Sequence, residues 1–247
     1  MSDAVLREVK DGLCTLTLNR ADKLNALSGE SFKGLAESVE YIQENSALIG
    51  CVLIRGAGRS FCAGNDLGDL GAVFEGGDSS RMRSITVEGL AGLPMPVVAA
   101  VQGHCLTGGL ELALAADIII AGESAKFGDT HGKWDLVPVW GLSQRLPRRI
   151  GRAKALEMSF TARFYSGRDA ETMGLANICV PDTELDATVA TFTSDILANS
   201  WRSSRAIKKL IDETDGLPLK TGLAHEVHRS EGRGPETAER LARMRKQ

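Results

Sequence analysis

The chain has 247 residues, 43% hydrophobic and 25% charged, with 29 basic against 32 acidic residues and a net charge of −3. That length can bury a full core as one α/β domain with an appended helical segment, and the near-balance of charge leaves little to drive binding to a nucleic-acid backbone. The start, MSDAVLREVKDG, has no apolar signal core, and the longest apolar run, 112–121 broken by Asp117, is far short of the roughly 20 residues of a membrane helix, so a cytoplasmic location without a membrane partner is expected.

Strands and helices alternate along the chain. LCTLTLN (13–19) alternates as a half-buried strand and precedes a helical pattern near 29–44. CVLI (51–54) precedes a loop and a helix near 80–92, PVVAAV (96–101) precedes a helix from Gly108, and DIIIA (117–121) leads into a further turn. This alternation predicts a layered α/β core. From Pro181 the pattern turns helical over 182–199, 201–214 and 218 to the end, with breaks at Gly216 and Pro218. The predicted division is a core over 1–195 and a helical segment over 196–247.

Two glycine-rich turns follow apolar strands. In the first, PVVAAVQGHCLTGGLE (96–111), the opening N–H groups of a helix lack intrahelical partners, so the backbone at Gly108 and Gly109 can approach an anionic oxygen, with Glu111 in the same helical turn. In the second, Cys51–Ile54 gives way to the loop RGAGRSFCAGNDL (55–67). If both turns reach one point they form a two-donor oxyanion hole, suited to the charge on a thioester carbonyl as it becomes an enolate or tetrahedral adduct.

FCAGNDL (61–67), AAVQGHCLTGGLELALAADIIIA (99–121) and AKFGDTH (125–131) together resemble the enoyl-CoA hydratase/isomerase (crotonase) superfamily. The resemblance begins at LNRADKLNAL (18–27), continues through WGLSQRLPRRIG (140–151) and SGRDAETMGLANICV (166–180), and runs into the helical tail. It implies a spiral of ββα units with a C-terminal helical lid, an acyl-CoA thioester substrate, coenzyme A only as part of that substrate, and a homotrimer or dimer of trimers. It implies oxyanion-hole amides at Asn65 and Gly108. It also implies nucleotide contacts from the backbone around Lys23 to Ala26 and from the Ala63 to Asp66 loop, with Lys23 as a phosphate partner. The tail, RLARMRKQ, departs from the aromatic-and-proline ending frequent in relatives.

The first hydratase glutamate maps onto Glu111, whereas the second position, four residues after Phe127, holds His131. Hydration of a 2-enoyl thioester to the 3-hydroxyacyl product needs a water activated for attack at the β-carbon, a proton for the α-carbon and stabilisation of the enolate between. The simplest scheme makes Glu111 the base, with the imidazole of His131 orienting the water or shuttling the proton. The alternative for His131 is a polar pocket residue that takes no proton, and for Glu111 an acidic residue favoured by the helix dipole. Isomerases of the superfamily typically keep the second carboxylate, so isomerisation ranks below hydration. Thioester hydrolysis, decarboxylation and carbon–carbon cleavage stay open.

Other reactive residues have quieter readings. Asp129 and Asp135 are candidate substitute carboxylates or ordinary turn residues. Asp66 is expected to brace its loop by accepting backbone hydrogen bonds, Asp117 to be paired, His104 to pack or shape the substrate site, and His225 and His228 to lie on a solvated helix. Cys14, Cys51, Cys62, Cys105 and Cys179 are expected as reduced core residues. No metal-ligand cluster, dinucleotide turn or P-loop occurs. A non-catalytic scaffold or RNA-binding member would have to use the one basic cluster, RLPRRIGRAK (145–154), expected instead as a solvated helix or subunit contact. EGGDSS (75–80) is expected as a mobile loop over the pocket.

Overall fold

Asp11 and Gly12 both take positive φ (49° and 86°), which a two-residue hairpin turn requires and an Asp-Gly pair supplies at low cost. They join β1 (Val5–Lys10) to β2 (Leu13–Leu18) as an antiparallel pair, with Lys10 opposite Leu13. The sequence reading missed β1. Its charged side chains lie on the edge of the sheet, where alternation with apolar residues is weak.

The computed structural model describes residues 3–69 and 78–244. After β2 come α1 (Gly29–Glu44), β3 (Cys51–Gly56), α2 (Asp78–Ala91) and β4 (Val97–Val101). Ser28 starts α1 with a capping box, exchanging hydrogen bonds with Ser31. Short β5 (His104–Leu106), α3 (Gly108–Ala113), β6 (Ile118–Gly122) and β7 (Lys126–Gly128) follow. Next are α4 (Leu142–Ile150), α5 (Arg152–Thr161), β8 (Tyr165–Ser166), α6 (Gly167–Thr172) and β9 (Ile178–Val180). The main sheet runs β1-β2-β3-β4-β6-β9, parallel from β2 onward, and a small sheet runs β5-β7-β8.

Both faces of the main sheet are covered, which is why β3 and β4 read as continuous apolar runs rather than alternating ones. One face packs Leu16, Val52, Ile54, Val97 and Ala99 with Leu35 and Ile42 of α1 and Leu90 of α2. The other packs Cys51, Leu53, Val98 and Ile120 against Leu185 and Val189 of α7 (Leu185–Ala198). The expected division at 195/196 therefore falls inside a helix that belongs to the core. The helices beyond it are α8 (Trp201–Thr214), α9 (Leu219–Arg229) and α10 (Thr237–Met244).

The expected single helix from 218 to the end is split. Gly232 takes a left-handed φ of 54° and Pro235 cannot continue a helix, so 230–236 separates α9 from α10. Within EGGDSS, residues 75–77 lie outside the described residues, and 78–80 open α2 rather than a loop.

Candidate active site

The parallel strands β3 and β4 end at the same edge, where open α/β folds gather ligand loops. The two turns lie side by side there. Cys62 N–H donates to His104 O (2.8 Å) and Leu106 N–H to Cys62 O (3.1 Å), so the 61–65 loop runs parallel to β5. On the loop's other side Leu27 N–H donates to Gly64 O (2.8 Å) and Asp66 N–H to Leu27 O (2.9 Å). This pairing uses the neighbours of Asn65 and leaves its own N–H facing the opposite way.

Glycine is needed for this approach. A Cβ on Gly109 would lie 2.3 Å from Cys62 O, and one on Gly64, which has φ +113°, would lie 3.1 Å from Leu106 O and 3.8 Å from Gly108 N. Gly108 is covered by Trp140, whose ring would sit 2.4 Å from an added Cβ. Thr107 holds a strained backbone (φ 52°, ψ −111°), tied through its hydroxyl to Thr130 Oγ1 at 2.5 Å. The amides of Asn65 and Gly108 make no hydrogen bond among the described residues. Two free donors thus lie on neighbouring loops.

The small sheet brings the catalytic candidates together. Since β5 and β7 are parallel, the residues that follow them are neighbours, and Thr107 N–H donates to Gly128 O (2.9 Å). Glu111, in the first turn of α3, is buried; its Oε1 accepts from Trp140 N–H (2.8 Å) and Leu142 N–H (3.3 Å). Its Oε2 faces His131 Nε2 at 3.8 Å, too long for a direct hydrogen bond and a separation that a single water can bridge. Burial pushes the Glu111 carboxyl above its ordinary value, against the opposing pull of the Trp140 amide, His131 and the Leu142 amide.

Asp129 completes the group. It is buried, and its Oδ1 accepts from His131 Nδ1 at 2.6 Å and from His131 N–H at 3.1 Å. Burial alone would raise its pKa, but the hydrogen bonds from His131 and Ser159 outweigh burial and hold the carboxyl below its ordinary value. An ionised Asp129 accepting at Nδ1 fixes that proton and leaves Nε2 turned to Glu111. The ordinary-turn reading therefore fails for Asp129. It holds for Asp135, an exposed left-handed cap of a short turn at His131–Trp134.

The expected nucleotide contacts gather in a cleft of about 450 Å³ lined by Lys23, Ala26, Ala63, Asn65 and Asp66, together with Lys133. Lys133 was missed, having no local signal beyond its charge. Asp66 accepts from Gly68 N–H (2.9 Å) as expected, and also pairs with Arg20 at 2.7 Å; that hydrogen bond, more than the Gly68 amide, holds its carboxyl low. A second, largely apolar cavity of about 540 Å³ lies against Asp129 and His131 from the side of α4 and α5. Leu136 borders both.

The remaining candidates are structural. Asp117 accepts from Val97 N–H and pairs with Lys208, both at 2.8 Å. His104 Nδ1 lies 3.1 Å from Ser60 Oγ. His225 differs from expectation by pairing with Glu213 of α8 at 2.7 Å. In the basic cluster, Arg145 binds Glu88 and Trp140 O, and Arg149 binds Asn177 and Ala116 O. All five cysteines are free and buried, and burial pushes the Cys62 thiol up to about 12, which removes it as a ready nucleophile. Among the described residues no three His, Cys, Asp or Glu side chains converge as a metal site, and no helix is long and apolar enough to cross a membrane.

Comparison with known proteins places this geometry in context. Residues 8–233 match the model of the enoyl-CoA hydratase/isomerase family. The 1,2-epoxyphenylacetyl-CoA isomerase of Escherichia coli is 34% identical, with 97% of this chain and 94% of that protein covered. The mitochondrial methylglutaconyl-CoA hydratase of Mus musculus is 35% identical, with 90% and 72% covered. The crystal structure of an enoyl-CoA hydratase from Bacillus anthracis superposes with a TM-score of 0.91 at 32% identity, covering 98% of this chain and 96% of that one.

Proposed function

Because the chain belongs to the enoyl-CoA hydratase/isomerase family, with the family match spanning residues 8–233, we propose that it hydrates a 2-enoyl-CoA thioester to the 3-hydroxyacyl-CoA. The observation that carries this reading is the facing pair of Glu111 Oε2 and His131 Nε2, 3.8 Å apart, close in the fold to two backbone amides that make no hydrogen bond among the described residues. The Asn65 and Gly108 amides hold the thioester oxygen and stabilise the enolate, a contribution of about 3–4 kcal/mol per donor in comparable sites.

Glu111 and His131 hold the water between them. As the water oxygen bonds to the β-carbon, its proton passes to Glu111, and the Glu111–His131 pair returns a proton to the α-carbon, so that the pair ends as it began. A carboxyl whose pKa burial raises is a stronger base than an ordinary one. Asp129 fixes the imidazole and lies 2.6 Å from any charge formed on it. Lys23 and Lys133 at the first cleft suit the phosphates of coenzyme A, and the scheme calls on no other cofactor.

Isomerisation, ranked below hydration, uses the same proton pair without adding water. The Asp129–His131 pair supports thioester hydrolysis as a second reading, because a histidine oriented by a carboxylate is also the general base of acyl transfer. Loss of the conjugated enoyl chromophore without release of free thiol, abolished in Glu111→Ala, supports hydration. Thiol release points to hydrolysis, and no change across chain lengths removes the hydratase reading. Assembly as a trimer or dimer of trimers is also proposed, supported by the exposed apolar side chains of Ile207, Ile211, Leu223 and Val227 on α8 and α9.

A further inference from the structure

Thr107 joins the two halves of the candidate site. Its N–H donates to Gly128 O at 2.9 Å, its Oγ1 lies 2.5 Å from Thr130 Oγ1 and accepts Thr130 N–H at 3.3 Å, and its carbonyl accepts Glu111 N–H at 2.9 Å. Thr107 directly precedes Gly108, one of the two candidate oxyanion donors, and Thr130 stands between Asp129 and His131. Thr130 is buried, and both threonines line the cleft that also holds Lys23, Asn65 and Lys133.

The backbone of Thr107 takes a conformation that its side chain opposes. At φ 52° and ψ −111° a Cβ is crowded, and a β-branched residue there is an outlier. Glycine would take the same conformation freely. Thr107 is also the N-cap of α3, where a threonine hydroxyl ordinarily accepts from the turn that follows, yet its side chain makes no cap hydrogen bond and is turned to Thr130 instead. A glycine would remove the strain and the hydroxyl together. The strain is therefore what it costs to keep a hydroxyl at this point, and the contacts of that hydroxyl show its use.

Building on the acyl-CoA reading, we infer that Thr107 and Thr130 are a positioning pair: the strained turn and the bond between the two hydroxyls set the Gly108 amide and Glu111 in register with His131. The α3 side supplies the amide for the thioester oxygen and the carboxylate, and the segment after β7 supplies the imidazole. Three hydrogen bonds between Thr107 and residues 128–130 couple the two sides. Without the hydroxyls only the backbone bond to Gly128 remains. A misplacement of about 1 Å in such a site costs up to about a hundredfold.

The test is a spectrophotometric titration of the intact protein with acetoacetyl-CoA, a thioester acidic enough at its α-carbon for the bound enolate to be seen by its ultraviolet absorption. The wild type is expected to bind it partly as the enolate. Thr107→Ala and the isosteric Thr130→Val, which leaves the Thr107 backbone untouched, are each expected to bind the thioester with an enolate-to-keto ratio about tenfold lower or more, Thr107→Ser to keep most of it, and the double variant to lose no more than either single one. Thr107→Gly is expected to melt at a higher temperature than Thr107→Ala, because the strain is gone, and yet to form as little enolate. A merely structural threonine would not separate stability from enolate formation in this way. A wild-type ratio in Thr130→Val or Thr107→Gly overturns the inference while leaving the acyl-CoA reading intact, as does a Thr107→Ala that melts with or above Thr107→Gly. Absence of bound enolate in the wild type overturns both.

Discussion

Replacing Asp129 with Asn tests whether the buried Asp129–His131 pair works or merely packs. The amide is nearly isosteric and its oxygen can still accept from His131 Nδ1, now 2.6 Å from a carboxylate oxygen, so the imidazole stays in place. What is lost is the negative charge beside the ring and the certainty of which nitrogen carries the proton. A general acid–base group contributes about 10²–10⁴ in rate, so kcat is expected to fall by that range, roughly 3–5 kcal/mol of barrier, with KM little changed. Because the two side chains act as a unit, Asp129→Asn in a His131→Ala background is expected to add almost nothing.

Stability gives an independent check on the same substitution. The Asp129 carboxyl is held below its ordinary value in the fold. Its ionised form thus contributes stability that is present above the unfolded pKa and lost as pH falls through the lower, folded one. Asp129→Asn is expected to lower the urea midpoint at neutral pH, and this deficit is expected to shrink in acid. Near-normal kcat in a folded Asp129→Asn protein, or additive losses in the double variant, would refute the role given to the pair.

Four further outcomes follow from the geometry. Glu111→Gln removes the base while keeping an acceptor for the Trp140 and Leu142 amides; because the folded carboxyl is raised, its ionised form costs stability as pH rises through that value, so the variant is expected to be inactive yet more stable at neutral pH, with the gain vanishing below the ordinary carboxylate pKa of 4.5 in thermal melts. The wild-type kcat/KM is expected to fall on the acid side at a pH above 4.5, and a limb at or below that value would contradict the raised carboxyl. Gly109→Ala places a Cβ 2.3 Å from Cys62 O; it is expected to separate the two loops, cost about 1–3 kcal/mol in denaturant melts and depress kcat, whereas unchanged activity would show that their spacing is not critical. Lys23→Ala and Lys133→Ala are each expected to weaken free coenzyme A binding several-fold with a reduced salt dependence, leaving kcat at saturation unchanged.

Much of the fold was legible because glycine and apolar spacing act locally. The strands at 51–54 and 96–101 and the helices at 29–44 and 201–214 appear close to where their patterns put them. β1 was hidden by its charges, and short β5, β7 and β8 exist only through pairing between distant segments, which no local window contains. The site followed the same division. The glycines that let the two turns approach are local and readable, whereas Asn65, Gly108, Glu111 and His131 were singled out through the family resemblance, and the fold sets the first two on neighbouring loops and the last two face to face. Asp129 was in view as a candidate carboxylate, but its burial against His131 depends on β5 and β7 lying side by side. Thr107 gave no signal at all: a threonine before a helix reads as an ordinary N-cap, and only the fold turns its hydroxyl to Thr130.

The central claim is that water adds across the double bond of an enoyl thioester between Glu111 and His131. It is tested most directly by turning over a 2-enoyl-CoA in water labelled with heavy oxygen and deuterium, and locating both labels by mass spectrometry. The account predicts an intact CoA thioester carrying the oxygen label on the β-carbon and a solvent deuteron on the α-carbon, with neither incorporated by Glu111→Gln. Oxygen label in a released carboxylic acid, or deuterium without oxygen in a shifted double-bond isomer, would contradict it.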